Sequence, residues 1–190
     1  MLIKIAEADQ MTIQEFLAYT EARPDGEIWE LIEGIARMNP SPTQWHRLIS
    51  ANIVYLLLNK KAARNASWVP MLGVGTQVPI SPNSLPRPDV YVHEGEPLAS
   101  YVTDDALVLF EVLSNSNRKA DRAWRKKVYS SIPNCQHYVT VSTKTAEVVR
   151  HDRSNRWAET KISGLAAVLE LPALKYSMPL SDIYRWTPIK

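Results

Sequence analysis

Cysteine is nearly absent from this chain of 190 residues: Cys135 stands alone. A single thiol excludes an intramolecular disulfide framework and a Cys-rich zinc site, and it fits a reducing compartment. A dominant charge is also lacking. Lys and Arg total 22 against 20 Asp and Glu, a net of +2. No global positive field marks the chain as a nucleic-acid binder, so any such surface must be local. Long apolar runs are missing too. The longest, Ile53 to Leu58 and Ala106 to Phe110, fall far short of the ~20 residues that span a bilayer. The opening MLIKIAEADQ lacks the apolar stretch of a signal peptide. No membrane association is expected, and a cytoplasmic location is the default. The rest is ordinary globular composition, 45% hydrophobic and 22% charged. The length predicts one domain over residues 1–190, burying roughly 70% of its unfolded surface.

Local signals order the elements. Thr12 with Glu15 three residues on has capping-box spacing, and Ile13, Phe16 and Leu17 continue an amphipathic helix to about Thr20. Strands over 27–32 and 35–38 flank Glu33-Gly34, a hairpin turn pair. Ser41-Pro42 reads as N-cap and first helical residue of the longest helix, running to about Ala63. Strands are expected over 68–72, 76–80 and 88–93. The run 106–113 is almost wholly apolar, as in a strand buried on both faces. A helix over 119–130 follows, then strands over 136–141, 147–151 and 157–162 as an antiparallel meander. Residues 180–184 suggest a short closing helix. This order predicts a mixed α/β domain (α+β, mixed sheet) with flanking helices and a C-terminal antiparallel meander.

One constellation carries chemistry. Asp89 sits mid-strand in RPDVYV, and Glu111 sits inside ALVLFEVL. A carboxylate in a buried run costs several kcal/mol unless it is paired, hydrogen-bonded or metal-bound. Singly, each has a plain structural explanation: a strand-end acid paired with arginine, or a turn acid after proline. Together, on neighbouring strands, they can hold a hard divalent cation through oxygen. The next helix supplies positive charge: Arg118, Lys119, Arg122, Arg125, Lys126 and Lys127, offset by Asp121. Asp121, Arg125 and Tyr129 recur at i, i+4 and i+8 on one stripe, with Trp124 and Val128 beside them as an apolar docking stripe. A solvated helix face is the ordinary reading of such charges. Beside a carboxylate pair, the same helix makes a phosphate-binding arrangement.

These motifs, PDV, a strand ending EVLS, D-x(7)-Y on a helix and IPN-x-QHYVTV, in that order, resemble the Uma-type family of putative restriction endonucleases, within the PD-(D/E)xK nuclease superfamily. The stretch WELIEGIARMNPSPTQWH resembles that family's N-terminal segment with its helix-borne His, and the match extends over about Trp29 to Val141. The resemblance implies a restriction-endonuclease-like core in which Asp89 and Glu111 are metal ligands for Mg²⁺ or Mn²⁺. Glu30 and His46 match the family's N-terminal acid and His, in supporting or third-ligand roles. The superfamily Lys two residues after the Glu is here Leu113. The family's substitute Lys on the following helix is here Arg125, with Lys126 beside it. Arginine cannot give up a proton to act as base. Three alternatives follow: Lys126, about 100° around the helix, serves instead; Arg125 serves only electrostatically; or activity is impaired.

The leading expectation is a metal-dependent endonuclease acting on DNA. Asp89 and Glu111 would hold the ion, Arg125 and Lys126 would act at the phosphate, and Asp121 would position Arg125 or Tyr129. Arg118, Lys119 and Arg122 would contact DNA phosphates, and a homodimer would cut both strands. Ser114 has a small claim to a phosphate contact, and Gln77 to the same cleft. His137, His151 and Cys135 carry no catalytic assignment. The rival readings are a non-catalytic nucleic-acid or protein binding module on the same scaffold, and a hydrolase of small phosphates.

Overall fold

The computed structural model describes residues 10–97, 99–113 and 119–190. In chain order its elements are α1 (Ile13–Glu21), β1 (Ile28–Ile32), β2 (Ile35–Asn39), α2 (Gln44–Arg64), β3 (Trp68–Leu72), β4 (Gly75–Thr76), β5 (Val90–Glu94), β6 (Val102–Thr103), β7 (Val108–Leu113), α3 (Lys119–Tyr129), β8 (His137–Ser142), β9 (Glu147–Asp152), β10 (Glu159–Ser163), β11 (Val168–Leu171), β12 (Tyr176–Pro179) and α4 (Leu180–Ile183). A mixed central sheet runs β10-β9-β8-β7-β5-β3. Its β7–β8 pair is parallel and the rest are antiparallel. The expected meander is β8-β9-β10. The parallel pair is possible because α3 carries the chain from β7 back to the start of β8, the crossover that parallel strands require.

Strand alternation assigns the two faces of the sheet. Val108, Phe110 and Val112 of β7 pack with Ile49, Ile53 and Leu57 of α2 and with the β11–β12–α4 unit. Leu109 faces the other way, onto Val128 and Tyr129 of α3 and Tyr138 of β8. Glu111 shares the parity of Leu109, so it points to the α3 side. By the same rule Asp89 shares the face of Tyr91, which belongs to the α3 cluster. A third cluster, Phe16, Leu31, Ala36 and Leu85, holds α1 to the β1–β2 hairpin.

Local chemistry explains the boundaries. Thr12 caps α1 in a full capping box with Glu15. Glu33 and Gly34 both have positive φ, 52° and 76°, as a two-residue primed turn demands. The Glu33 backbone N–H donates to Ser84 Oγ at 2.8 Å, tying the turn to the loop before β5.

Four expectations need correction. The long helix is capped by Thr43, whose hydroxyl accepts the His46 N–H, rather than by Ser41. The strand expected over 76–80 ends at Thr76: Pro79 has no N–H to offer a ladder, and Ser81 N–H turns back to the Val78 carbonyl. The strand placed at 157–162 starts at Glu159, since Arg156 and Trp157 have left-handed backbone. Asp89 is not mid-strand but one residue ahead of β5. Its backbone N–H still donates to Phe110 O at 3.0 Å, and its side chain takes over the next ladder position. The β11–β12 hairpin was not expected. No helix among the described residues is long and apolar enough to cross a membrane.

Candidate active site

Two sheet-end acids and one helix meet at the end of the β5–β7 pair. Asp89 Oδ2 accepts the Val112 N–H at 2.7 Å, which fixes the carboxylate across the β7 edge. Its Oδ1 lies 3.3 Å from His46 Nε2, contributed by the first turn of α2. Glu111, 4% exposed, accepts from Arg125 Nη1 and from the Tyr129 hydroxyl, each at 2.9 Å on Oε1. Arg125 and Tyr129 stand four residues apart on α3, so both reach the same oxygen.

Glu30, 2% exposed, comes from outside the central sheet. On β1 it points away from Leu31 and Trp29, which face α1. Its carboxylate takes the second nitrogen of Arg125 in a fork, with Nη2 at 2.8 and 2.7 Å from the two oxygens. It also accepts from Asn39 Nδ2 at 2.9 Å and from the Arg87 backbone N–H at 2.6 Å. Arg125 Nη1 further donates to the Tyr129 hydroxyl at 3.1 Å. Both terminal nitrogens of Arg125 are therefore committed, leaving only its Nε–H outside these contacts. The guanidinium acts as a clamp joining β1, β7 and α3.

Two acids, Glu30 and Glu111, hold one buried cation while Asp89 adds its charge beside Glu111, and the balance shows in the acidities. Burial pushes Glu111 up to about 8, with Asp89 and Glu30 adding to the rise while Arg125 and Tyr129 oppose it. Burial alone would lower Arg125, but Glu111 and Glu30 more than offset that and hold it charged. Burial, then the Glu111 charge, drives the Tyr129 phenol well up, so its hydroxyl keeps its proton and donates.

A cavity of about 600 Å³ opens over this cluster, lined by His46, Ser50, Arg87, Asp89, Glu111 and Arg125 among others. No group of three or more His, Cys, Asp or Glu side chains among the described residues converges as a ready-made metal cage. The donors that do face the cavity, Asp89 and Glu111, are oxygens suited to a hard ion. The excess of acid over base around Glu111 is the charge environment a cation would balance. The donor set thus fits a divalent ion held by few protein ligands.

The other residues singled out by sequence are distributed unevenly. Lys126 is half-buried and places its charge beside His151 of β9. Lys119 and Arg122 are exposed on α3, and Asp121 lies one turn before Arg125. Arg118 and Ser114 lie outside the described residues. Gln77 is exposed and lies outside the residues lining the cavity. Sequence reasoning missed Asn39 and Arg87. The signal for Arg87 was its place between Pro86 and Pro88, immediately before Asp89.

The sequence profile of Uma2, described as a putative restriction endonuclease, matches residues 13–181. The chain belongs to the Uma2 family. No curated protein matches it. A crystal structure of a putative nuclease belonging to DUF820 from Anabaena variabilis superposes with a TM-score of 0.75 at 15% identity, covering 93% of this chain and 98% of that one. At that identity the likeness speaks to the fold. The Uma2 match takes in all the elements that build the site, from α1 to β12.

Proposed function

We propose that this Uma2 protein is a metal-dependent nuclease that hydrolyses DNA phosphodiester bonds in the cavity over Asp89 and Glu111. The observation that carries the reading is the buried Glu30–Arg125–Glu111 clamp set beside Asp89 under an open cavity. Asp89 and Glu111 would hold Mg²⁺ or Mn²⁺. When bound, the ion supplies Lewis acidity at the phosphoryl group. Asp89 presents Oδ1 while Oδ2 stays fixed by the β7 backbone. Glu111 turns one oxygen to Arg125 and Tyr129, which sets the orientation of the other. Arg125 is a positioning residue: with its terminal nitrogens engaged, it orients both glutamates and offers a fixed positive charge nearby. It cannot serve as base. His46, at 3.3 Å from Asp89 and on the cavity wall, is placed to move a proton. Lys119 and Arg122 would add phosphate contacts from the exposed face of α3. Cutting both strands of a duplex calls for two such sites, and hence a homodimer.

A second reading, a nucleic-acid binding module that does not cut, is favoured by one feature: Arg125 stands where a lysine would be free to act, and it is spent on the clamp. Nicking of supercoiled plasmid with Mg²⁺ or Mn²⁺ separates the two. The nuclease reading expects cleavage by the wild type and its loss in Asp89→Asn and Glu111→Gln, with thermal unfolding confirming that both variants fold. Full cleavage by either variant would overturn the assigned ligands. Metal-dependent cleavage gained only in Arg125→Lys would place the protein with the non-cutting modules.

A further inference from the structure

A second cavity, of about 610 Å³, opens next to the first. The two share Gly73 and Arg87 in their walls, so they form one groove with Arg87 at the join. Gly73 makes this join possible. Its φ is +49°, and a Cβ there would stand 3.0 Å from Arg87 Nε and 3.3 Å from Nη2. The Arg87 guanidinium thus lies directly on bare backbone. Arg87 is exposed, and its described contact is made by its backbone, to Glu30. Its side-chain charge forms no ion pair among the described residues, in contrast to Arg125.

The walls of the second cavity are chemically different from the first. Trp29 and Tyr101 supply aromatic surface, and Tyr101 is 86% exposed, an unusual placement for a ring with no packing role. Trp29 is held by an edge contact with Tyr19, centroids 5.3 Å apart, and by its own indole N–H to Glu27 at 2.8 Å. Glu21, Asp25 and Glu27 also line this cavity, together with Arg23, whose guanidinium lies over Tyr19 and Trp29 at 4.2 and 5.7 Å from the ring centroids. Away from Arg87 the acids outnumber Arg23, which is taken up by the Tyr19 and Trp29 rings, so this end of the groove favours a neutral group over the sugar-phosphate chain. The acids do accept hydrogen bonds from the exocyclic amines of a neutral ring. Aromatic faces, carboxylate acceptors and room for a heterocycle describe a nucleobase site.

We infer that the second cavity receives an unpaired nucleobase adjoining the phosphodiester bound over Asp89 and Glu111, with Arg87 gripping the phosphate that links the two. A base inside a duplex cannot reach it, so the groove selects single-stranded or locally opened nucleic acid. This rests on the nuclease reading of the first cavity and names the substrate class for it.

Fluorescence anisotropy with a labelled single strand of roughly 12 nucleotides and with its duplex, in EDTA, tests the inference on the full chain. The wild type is expected to bind the single strand more tightly. Tyr101→Ala should weaken single-strand binding about tenfold through one lost stack, with duplex binding unchanged. Arg87→Gln should weaken it and lower the salt slope by about one. Tyr101 is exposed, so unfolding midpoints should match the wild type. Equal affinity for duplex and single strand, or an unchanged Tyr101→Ala, would overturn the base site. If plasmid nicking by the wild type persists in that case, the nuclease reading stands without it. If the wild type neither binds nor cleaves any nucleic acid, the nuclease reading falls, and the base site with it.

Discussion

Glu111→Gln tests the charge balance of the cluster directly. Gln is close in shape to a protonated Glu, and its carbonyl oxygen can accept from Arg125 and Tyr129 as Glu111 Oε1 does. The folded chain holds the Glu111 proton up to about pH 8, whereas an exposed glutamate gives it up near 4.5. Between those values the native state binds more protons than the unfolded one. The Glu111 contribution is therefore complete below about pH 4.5 and is lost as pH rises through about 8. A tenfold change in proton affinity is worth about 1.4 kcal/mol, so the gap sets a ceiling on the order of 5 kcal/mol. Relaxation of the clamp and entry of water reduce this, leaving a difference of roughly 2–3 kcal/mol. The Gln variant carries no such charge. Urea unfolding from about pH 5 to pH 9 without metal should then show near-equal stability at the acid end. At the alkaline end the variant should be the more stable by that amount. Histidines titrate in both proteins, so the difference between the two curves isolates Glu111. Parallel curves across the whole range would refute the raised acidity of Glu111 and the charge count behind it.

Two further predictions concern stability. Arg125→Ala leaves two buried carboxylates without their shared cation and should cost about 3 kcal/mol in urea unfolding; Arg125→Lys should recover only part of it, because one ammonium cannot reproduce the fork onto Glu30. His137 donates from Nδ1 to Asp152 at 2.6 Å while its Nε2 accepts the Ala173 N–H at 3.2 Å, which requires a neutral ring, and burial, outweighing Asp152, lowers its pKa. Its contribution is then present above about pH 6.5 and drains as pH falls below it, and His137→Asn should flatten that acid limb in a pH series of unfolding midpoints.

What could be read from the sequence was whatever is written locally. The capping box at Thr12, the Glu33-Gly34 turn and the apolar frame around Glu111 each lie within a few residues. The Asp121–Arg125–Tyr129 stripe identified the face of α3 that meets Glu111, since helical spacing alone fixes it. Glu30 was harder. Only the resemblance raised it, because its partner lies 95 residues away and its strand is not part of the central sheet. Arg87 escaped because its contribution comes through a backbone N–H and through a seat on Gly73, neither of which leaves a pattern in side chains. The strand expected over 76–80 failed because Val78 is buried without being paired in a strand. Alternation registers burial, and it cannot distinguish a buried loop residue from a strand residue.

The identity of residue 125 shapes what the site can do. A lysine there would bring one ammonium with three rotatable donors, able to leave a carboxylate and exchange a proton. Arginine has a planar fork, and here it joins three elements: Glu30 on β1, Glu111 on β7 and Tyr129 on its own helix. Those bonds need the two terminal nitrogens at once, each with two hydrogens, and a lysine could not span them. The exchange therefore trades a mobile proton carrier for rigidity around the carboxylates. On the nuclease reading, proton transfer would then fall to another group on the cavity wall. Among the described lining residues His46 combines a titratable ring with a position beside Asp89. Glu30, in turn, is no incidental neighbour: without it the second guanidinium nitrogen would be buried unpaired, and arginine would be no better than lysine at this position. Residues 30 and 125 are thus expected to act as one unit. Double-mutant unfolding with Glu30→Gln and Arg125→Lys should give a total well short of the sum of the single changes.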